Sequence, residues 1–476
     1  MGKNNIGKMN NQPNIIICTC DQLPAYATGC YGNDCVRTPN IDRLASEGMR
    51  FEQSVTNYPL CLPARSVLIS GQYNRTCTGG SGNIGVHGDG RDFLHQYPFD
   101  GRPHLREETL PEVLRTAGYE TATIGKWHIH SWPSDVGFDS YIIPRVNHCH
   151  TGQAFTENGG VEFVPPGYSV DYEADRLEQF LNTRGEGDKP FFMYYNISPP
   201  HCPFGDAPER YLKMYNPAEA PIRPNVDLDT PLKDQEMWFN IYRWDFRYYT
   251  YMLPETTRLP EGYSLRHLTA EYYGLVTWVD DTVGRMLHVL ERTGLTENTI
   301  VVFTSDHGEN LGSLGLVQKG TPNEESIRIP MIVRGPDTTS GVTGSHVASL
   351  VDLAPTLLSM CGLDAPTHFH GRDLSALCRG EACNARPEAY VEHSDGATVR
   401  TLDYTYFLPF ANHEHELADK PRQYYNMVSD PYQMNNLADS EYLSEPAGEL
   451  DQLLRAWDER TPWSCQTQNG KKKELI

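Results

Sequence analysis

The segment Cys61-Leu62-Pro63-Ala64-Arg65-Ser66 sets a nucleophile four residues before a fixed cation. If a helix starts near Pro63, Cys61 lies at its positive end and Arg65 follows one turn on, so both would meet an anion. Four residues is a shorter spacing than the Cys-to-Arg loop of thiol phosphatases. Six other side chains able to move protons, bind anions or hold metals are Asp21, Lys126, His128, His201, Asp306 and His307. Each falls at or just after the end of a predicted strand, and together they point to one site.

Several elements must position these groups. Asn14 to Cys20 is a short apolar run before Asp21 and reads as a buried strand. Thr121 to Ile124, Phe191 to Ile197, Thr299 to Thr304 and Ile329 to Val333 are further predicted strands. Thr38-Pro39-Asn40-Ile41 opens a helix, capped by Thr38 or Asn40, that Gly48 stops. Thr109 to Ala117 is a second helix with a Thr109/Glu112 capping box and Pro111 in its first turn. Apolar residues at steps of three and four from Leu268 to Leu290 predict a long helix ending near Arg292. Strands alternating with helices predict an α/β fold with a mostly parallel central sheet sandwiched by helices. Ligands of such sheets bind at the carboxyl ends of the strands. Lys126 and His128, two apart on one strand, would project to one face.

The predicted catalytic domain spans residues 1–385, with residues 204–264 as an insertion or lid rich in Pro, Tyr and Trp. Residues 386–476 read as a smaller C-terminal α+β subdomain of short strands (389–392, 398–401, 404–407) and a helix from Ser444 to Arg460. The tail Lys471-Lys472-Lys473 reads as a solvated end.

Composition narrows the function. With 476 residues, 21% charged and 11% aromatic, the chain is globular in type. Forty Lys and Arg against 62 Asp and Glu leave a net charge of −22, which argues against nucleic acid or an anionic membrane as partner. No apolar run is long enough for a transmembrane helix. The polar Met1–Pro13 start lacks the apolar core of a secretory signal, so the chain as given reads as cytoplasmic or already processed. Twelve scattered cysteines in so long a chain read as buried thiols rather than a disulfide framework.

The Cys-x-Pro-x-Arg core, followed by Ser70-Gly71, resembles the signature of type I sulfatases of the alkaline phosphatase superfamily. Four further segments match that pattern in order: Asp21-Gln22, Gly125-Lys126-Trp127-His128, Pro200-His201, and Ser305-Asp306-His307-Gly308 with Lys319-Gly320. Tyr425 to Leu437 looks like the family's C-terminal end. The resemblance implies an alkaline-phosphatase-like α/β sandwich and a sulfuric ester hydrolase. It also implies oxidation of Cys61 to formylglycine by a formylglycine-generating or anaerobic maturase enzyme. The hydrated aldehyde carries two hydroxyls: one attacks, and the other later loses its proton to expel the anion.

By the same resemblance Asp21, Gln22, Cys61, Asp306 and His307 would hold a cation. Their oxygen-rich donors suit Ca²⁺, or alternatively Mn²⁺, better than Zn²⁺. His128 would be the base. Arg65, Lys126 and Lys319 would bind peripheral oxygens, and His201 and Lys319 would assist the leaving group. Asn83 and His87 would line the pocket. The implied substrate is a small anionic sulfate ester, with a sulfated sugar as the default.

Two departures stand out. Many members carry Asp where Gln22 stands and Asn where His307 stands, and the Gln/His combination also resembles the phosphonate monoester hydrolase and phosphodiesterase branch. That branch usually lacks the Gly-Lys-Trp-His run. A non-catalytic relative with an unmodified Cys61 is the remaining alternative. His148/His150, His413/His415 and Cys18/Cys20 have no partners at zinc spacing and read as structural, as does His130. Trp238, Trp244, Tyr248, Tyr249 and Tyr251 read as packing residues that could also stack on a sugar.

Overall fold

The computed structural model describes residues 12–83, 98, 100–144, 148–185, 187–244, 259–440 and 445–464. His87, Tyr248, Tyr249, Tyr251 and the Lys471–Lys473 tail lie outside the described residues. Nine strands form the central sheet: β1 (Asn14–Asp21), β2 (Met49–Val55), β3 (Glu120–Gly125), β4 (Ser140–Pro144), β5 (Phe155–Glu157), β6 (Phe191–Pro200), β7 (Thr299–Ser305), β8 (Met331–Arg334) and β9 (Gly341–Ser349). Their order is β5-β4-β3-β6-β1-β7-β8-β2-β9. The run β4-β3-β6-β1-β7 is parallel throughout. β5 and β8 run antiparallel to their neighbours, so the sheet is mixed around a parallel centre.

β1 shows why its sequence is almost wholly apolar: every residue is buried, because helices cover both faces of the sheet. Ile16, Cys18 and Cys20 point to one face, among residues of the helices Pro39–Glu47, Ser169–Asn182 and Leu265–Arg292. Ile15 and Ile17 point to the other, among residues of Cys61–Ser70, Leu110–Thr116 and Leu350–Met360. Cys18 and Cys20 are thus core thiols on one face of a strand, as period two requires.

The capping box at Thr109 is present, with the Glu112 carboxylate accepting from the Thr109 backbone N–H at 2.9 Å. Thr38 is the N-terminal boundary residue of Pro39–Glu47, but its hydroxyl accepts from Gly29 N–H rather than capping the helix. Asp280, on the long helix, instead accepts from the backbone N–H groups of Asn40 and Ile41.

β10 (Ala389–His393), β11 (Gly396–Arg400), β12 (Tyr404–Pro409) and β13 (Gln423–Asn426) form a separate antiparallel sheet. With the helix Glu445–Arg460 it packs on the back of the Cys61 helix, where Val67 and Tyr73 meet Tyr390, Val399 and Trp457. The buried Arg75 pairs with Glu392 at 2.7 Å and with Asp458, beneath the Trp457 ring. Within 204–264, the described part contains the helices Glu209–Leu212 and Gln235–Trp244.

β3 ends at Gly125, so Lys126 and His128 lie in the following loop rather than on a strand. Gly125 turns the chain at φ 93°, and His128 sits at φ 44°. A Cβ on Gly125 would stand 2.0 Å from the Asn196 carbonyl oxygen on β6. Gly125→Ala is therefore expected to cost about 2 kcal/mol or more. A urea denaturation series on the full chain checks this, and an unchanged midpoint would contradict it.

Candidate active site

The carboxyl ends of β3, β6, β1 and β7 are adjacent. Register aligns Asp21 with Pro200 and Cys20 with Ser305, which places Asp21, Lys126, His201 and Asp306 along one edge of the sheet. The helix Cys61–Ser70 points its N-terminus into that edge. It begins at Cys61 itself, two residues earlier than the sequence suggests, and every residue in it is buried. Pro63 falls in the first turn, where a missing N–H costs nothing. Gly71 ends the helix in a left-handed conformation at φ 63°.

The Cys61 sulfur is the hub. Lys319 Nζ is 3.1 Å away, His307 Nε2 3.2 Å, Asp21 Oδ1 3.7 Å and Asn83 Nδ2 3.9 Å. His128 and His201 also act on the charge of this sulfur. Asn83 additionally accepts the Leu62 N–H at 3.0 Å, occupying one of the free donors of the helix start. Burial alone would push the Cys61 thiol up, but Lys126, Lys319 and His307 outweigh it and hold it well below the usual thiol value.

Arg65, expected to meet the anion, is fully buried and turned to the protein's own acceptors. Its Nε donates to Asp306 at 3.0 Å, and one terminal nitrogen donates to Lys126 O at 3.0 Å and Asn196 Oδ1 at 2.8 Å. The other donates to Asp21 at 3.2 Å and lies 2.9 Å from Asp306. The guanidinium thus holds two carboxylates, a carbonyl and an amide. Lys126 Nζ closes the knot by hydrogen-bonding the same Asp21 carboxylate. Burial would raise the Asp21 carboxyl, but Lys126, His201 and Lys319 hold it well below the usual range. Burial and the neighbouring Asp21 charge push Asp306 upward.

Ligand atoms of Asp21, Cys61, Asp306 and His307 lie within 4.8 Å of one another. His307 Nδ1 donates to the Gly308 carbonyl at 2.9 Å, and its Nε2 is turned to the Asp21 and Asp306 carboxylates. Burial would lower its pKa, but the Asp306 charge raises it, and a bound cation would take the place of the Nε2 proton. Two carboxylates and one imidazole lone pair fit a divalent cation, and the oxygen-rich set favours a hard one. Gln22 stands beside them, its Oε1 accepting from Lys319 Nζ at 2.8 Å.

Four residues about this site escaped the motif reading. Asn196 is the one amide in a buried, largely aromatic strand, and that oddity marks it. Glu309 follows the Asp306-His307-Gly308 run directly and hydrogen-bonds Gln22. Tyr242, from the 204–264 segment, has no sequence signal. His148, read as structural, stacks on His201 with ring centroids 3.8 Å apart. Of the other doubtful histidines, His130 lies against His104 and within the electrostatic reach of His128, and His415 stacks on Trp463.

Arg65→Ala would strip the guanidinium from buried Asp306 and leave Asp21 to Lys126, a loss of about 3–5 kcal/mol. Arg65→Lys should recover only part of it, since an ammonium cannot reproduce the five-donor fork. Denaturant unfolding in the presence of a chelator measures both, and equal stability of the alanine variant and the parent would refute the role of Arg65 as the strut.

The sulfatase family model matches residues 13–363, and the model for the C-terminal region of N-sulphoglucosamine sulphohydrolase matches residues 312–460. An N-acetylglucosamine-6-O-sulfatase of Bacteroides thetaiotaomicron is 31% identical, across 93% of this chain and 86% of its own length. An ulvan-active sulfatase of Formosa agariphila is 28% identical, across 93% and 80%. A solved structure in complex with its substrate D-glucosamine-2-N,6-O-disulfate aligns with a TM-score of 0.75 at 27% identity, covering 94% of this chain and 98% of that one. With its nucleophile motif at the carboxyl edge of the sheet and a family match over most of its length, the chain belongs to the type I sulfatases of the alkaline phosphatase superfamily and is a sulfuric ester hydrolase.

Proposed function

We propose that this enzyme removes sulfate from a sulfated sugar, using a formylglycine made from Cys61 and a bound hard cation, Ca²⁺ before Mn²⁺. The observation that carries the reading is the position of the Cys61 sulfur. It sits at a helix N-terminus, within 3.2 Å of both an ammonium and an imidazole, beside two carboxylates held by one guanidinium. The sugar assignment is supported by the relatives named above, an N-acetylglucosamine-6-O-sulfatase and an ulvan-active sulfatase.

The cation would be held by Asp21, Gln22, Asp306 and His307, and when bound it supplies charge neutralisation at the nucleophile and sulfate oxygens. The sulfur of Cys61 marks where the hydroxyls of the hydrated aldehyde would stand. His128 touches that position, and burial lowers its proton affinity, which keeps the ring neutral and able to accept a proton. His201 Nδ1 faces the Cys202 carbonyl at 2.6 Å, so its other nitrogen turns a lone pair to the site. Burial, with Lys319 nearby, lowers its pKa to about 4. Until His201 takes up a proton, the Lys319 ammonium is the standing donor for the leaving oxygen. Burial disfavours that charge, but Cys61, Asp21 and Asp306 more than restore it. Lys126 and Asn83 complete the substrate wall on the other side of the nucleophile.

Cys61→Ala should abolish sulfate release from N-acetylglucosamine 6-sulfate, and chelation followed by Ca²⁺ should abolish and then restore it. Mass analysis of the Cys61 peptide from active native-host protein should show the aldehyde; full activity with an unmodified thiol would end the proposal. Parallel kcat/KM values for an aryl sulfate and an aryl phosphonate test the sulfur preference, and a ratio favouring the phosphonate would move the enzyme to the phosphonate branch.

A further inference from the structure

The Gln22 side chain lies between two groups of opposite hydrogen-bonding character. Its Nε2 donates to the Glu309 carboxylate, and its Oε1 accepts from Lys319 Nζ. A carboxylate cannot donate and an ammonium cannot accept, so these neighbours admit one orientation of the amide. The same Lys319 Nζ is 3.1 Å from Cys61 Sγ and 3.9 Å from Asp21 Oδ1, so the oxygen end of Gln22 is the end turned toward the ligand cluster. The backbone of Gln22 is pinned as well. Its N–H donates to Asp306 Oδ1 at 3.1 Å, and its carbonyl accepts from Tyr272 OH at 2.6 Å.

Glu309 is itself fully buried. Its second oxygen accepts from Tyr242 OH at 2.6 Å and from the Leu311 N–H at 2.9 Å. Tyr242 OH in turn accepts the N–H of Gln318, the residue before Lys319, at 2.7 Å. Tyr242 lies on the helix Gln235–Trp244, so the 204–264 segment reaches both the carboxylate behind Gln22 and the strand of chain that carries Lys319.

We propose that Glu309 is a positioning residue that fixes Gln22 as an oxygen ligand of the cation, and that Tyr242 holds Glu309 in that register. The inference rests on the reading of Asp21, Gln22, Asp306 and His307 as the cation site. It explains how a neutral amide serves at a position where many relatives carry a second carboxylate. The orientation that a carboxylate has by symmetry, an amide must be given by a neighbour. It also makes the insertion a support of the metal site.

Glu309→Gln is the sharp variant. Leu311 N–H can only donate, so the new amide must turn its oxygen to Leu311 and its NH₂ to Gln22. Gln22 would then rotate its own NH₂ toward the cation. Tb³⁺ luminescence with Ca²⁺ competition, on the full chain, reads cation affinity without using turnover. Glu309→Gln should weaken binding about tenfold or more in the parent. In a Gln22→Leu background, where no amide remains to orient, the same change should cost less than about threefold. Tyr242→Phe, which keeps the ring, should give a smaller loss in the parent and none beside Gln22→Leu. Melting in a chelator reports whether each variant is folded, and Tyr242→Phe keeps the cycle usable if Glu309→Gln is not. Parent-like affinity in both Glu309→Gln and Tyr242→Phe, or equal losses in both backgrounds, would overturn the positioning role. A parent chain with no saturable Tb³⁺ site would instead overturn the cation site itself, and the inference with it.

Discussion

Everything at the catalytic edge is organised around one buried guanidinium. Arg65 is surrounded by Asp21 at the end of β1, Asp306 just past β7, Asn196 on β6 and the carbonyl of Lys126 after β3. It therefore ties the Cys61 helix to the carboxyl ends of four adjacent strands. A charge taken out of water is tolerable only when paired, and here two carboxylates, a carbonyl and an amide meet it. The arrangement makes the position of Cys61 a property of the whole sheet rather than of a loop. It also keeps two carboxylates ionisable side by side, as a cation site requires.

The protein carries a net charge of −22, yet its site is built to receive an anion. Screening confines electrostatic influence to about 8 Å, so the near groups decide. Lys126, Lys319 and a helix N-terminus converge on the Cys61 sulfur, which is why that thiol is held low despite complete burial. Arg65 contributes indirectly, by neutralising the carboxylates that would otherwise repel a sulfate. A divalent cation there would add to the same local field.

The 204–264 segment and the C-terminal sheet both bear on this edge. The antiparallel sheet braces the helix behind Cys61 through Val67, Tyr73 and the Arg75–Glu392 pair. The 204–264 segment arrives through Tyr242 and its bonds to Glu309 and Gln318. His148 adds a ring stacked on His201, which limits how that imidazole can turn. The site thus depends on parts of the chain distant in sequence.

Residue type and order alone determined strands over 14–20, 191–197 and 299–304, the long helix, the Thr109 capping box and the pointing of Asp21, Lys126, His128, His201, Asp306 and His307 to one site, to which the family resemblance added Cys61 and Lys319. These were legible because apolar periodicity is local and because the motif residues sit where a parallel sheet ends. The antiparallel placement of β5 and β8 was not, since periodicity carries no strand direction. Nor was the turn after Gly125, where a positive φ replaced the expected strand alternation at Lys126 and His128. The role of Arg65 as a strut, the service of Asn196 and Glu309, and the reach of Tyr242 were decided by tertiary structure alone. Each depends on which polar group lies within about 3 Å of another across tens or hundreds of residues, and hydrogen bonding at that range leaves no trace in local sequence.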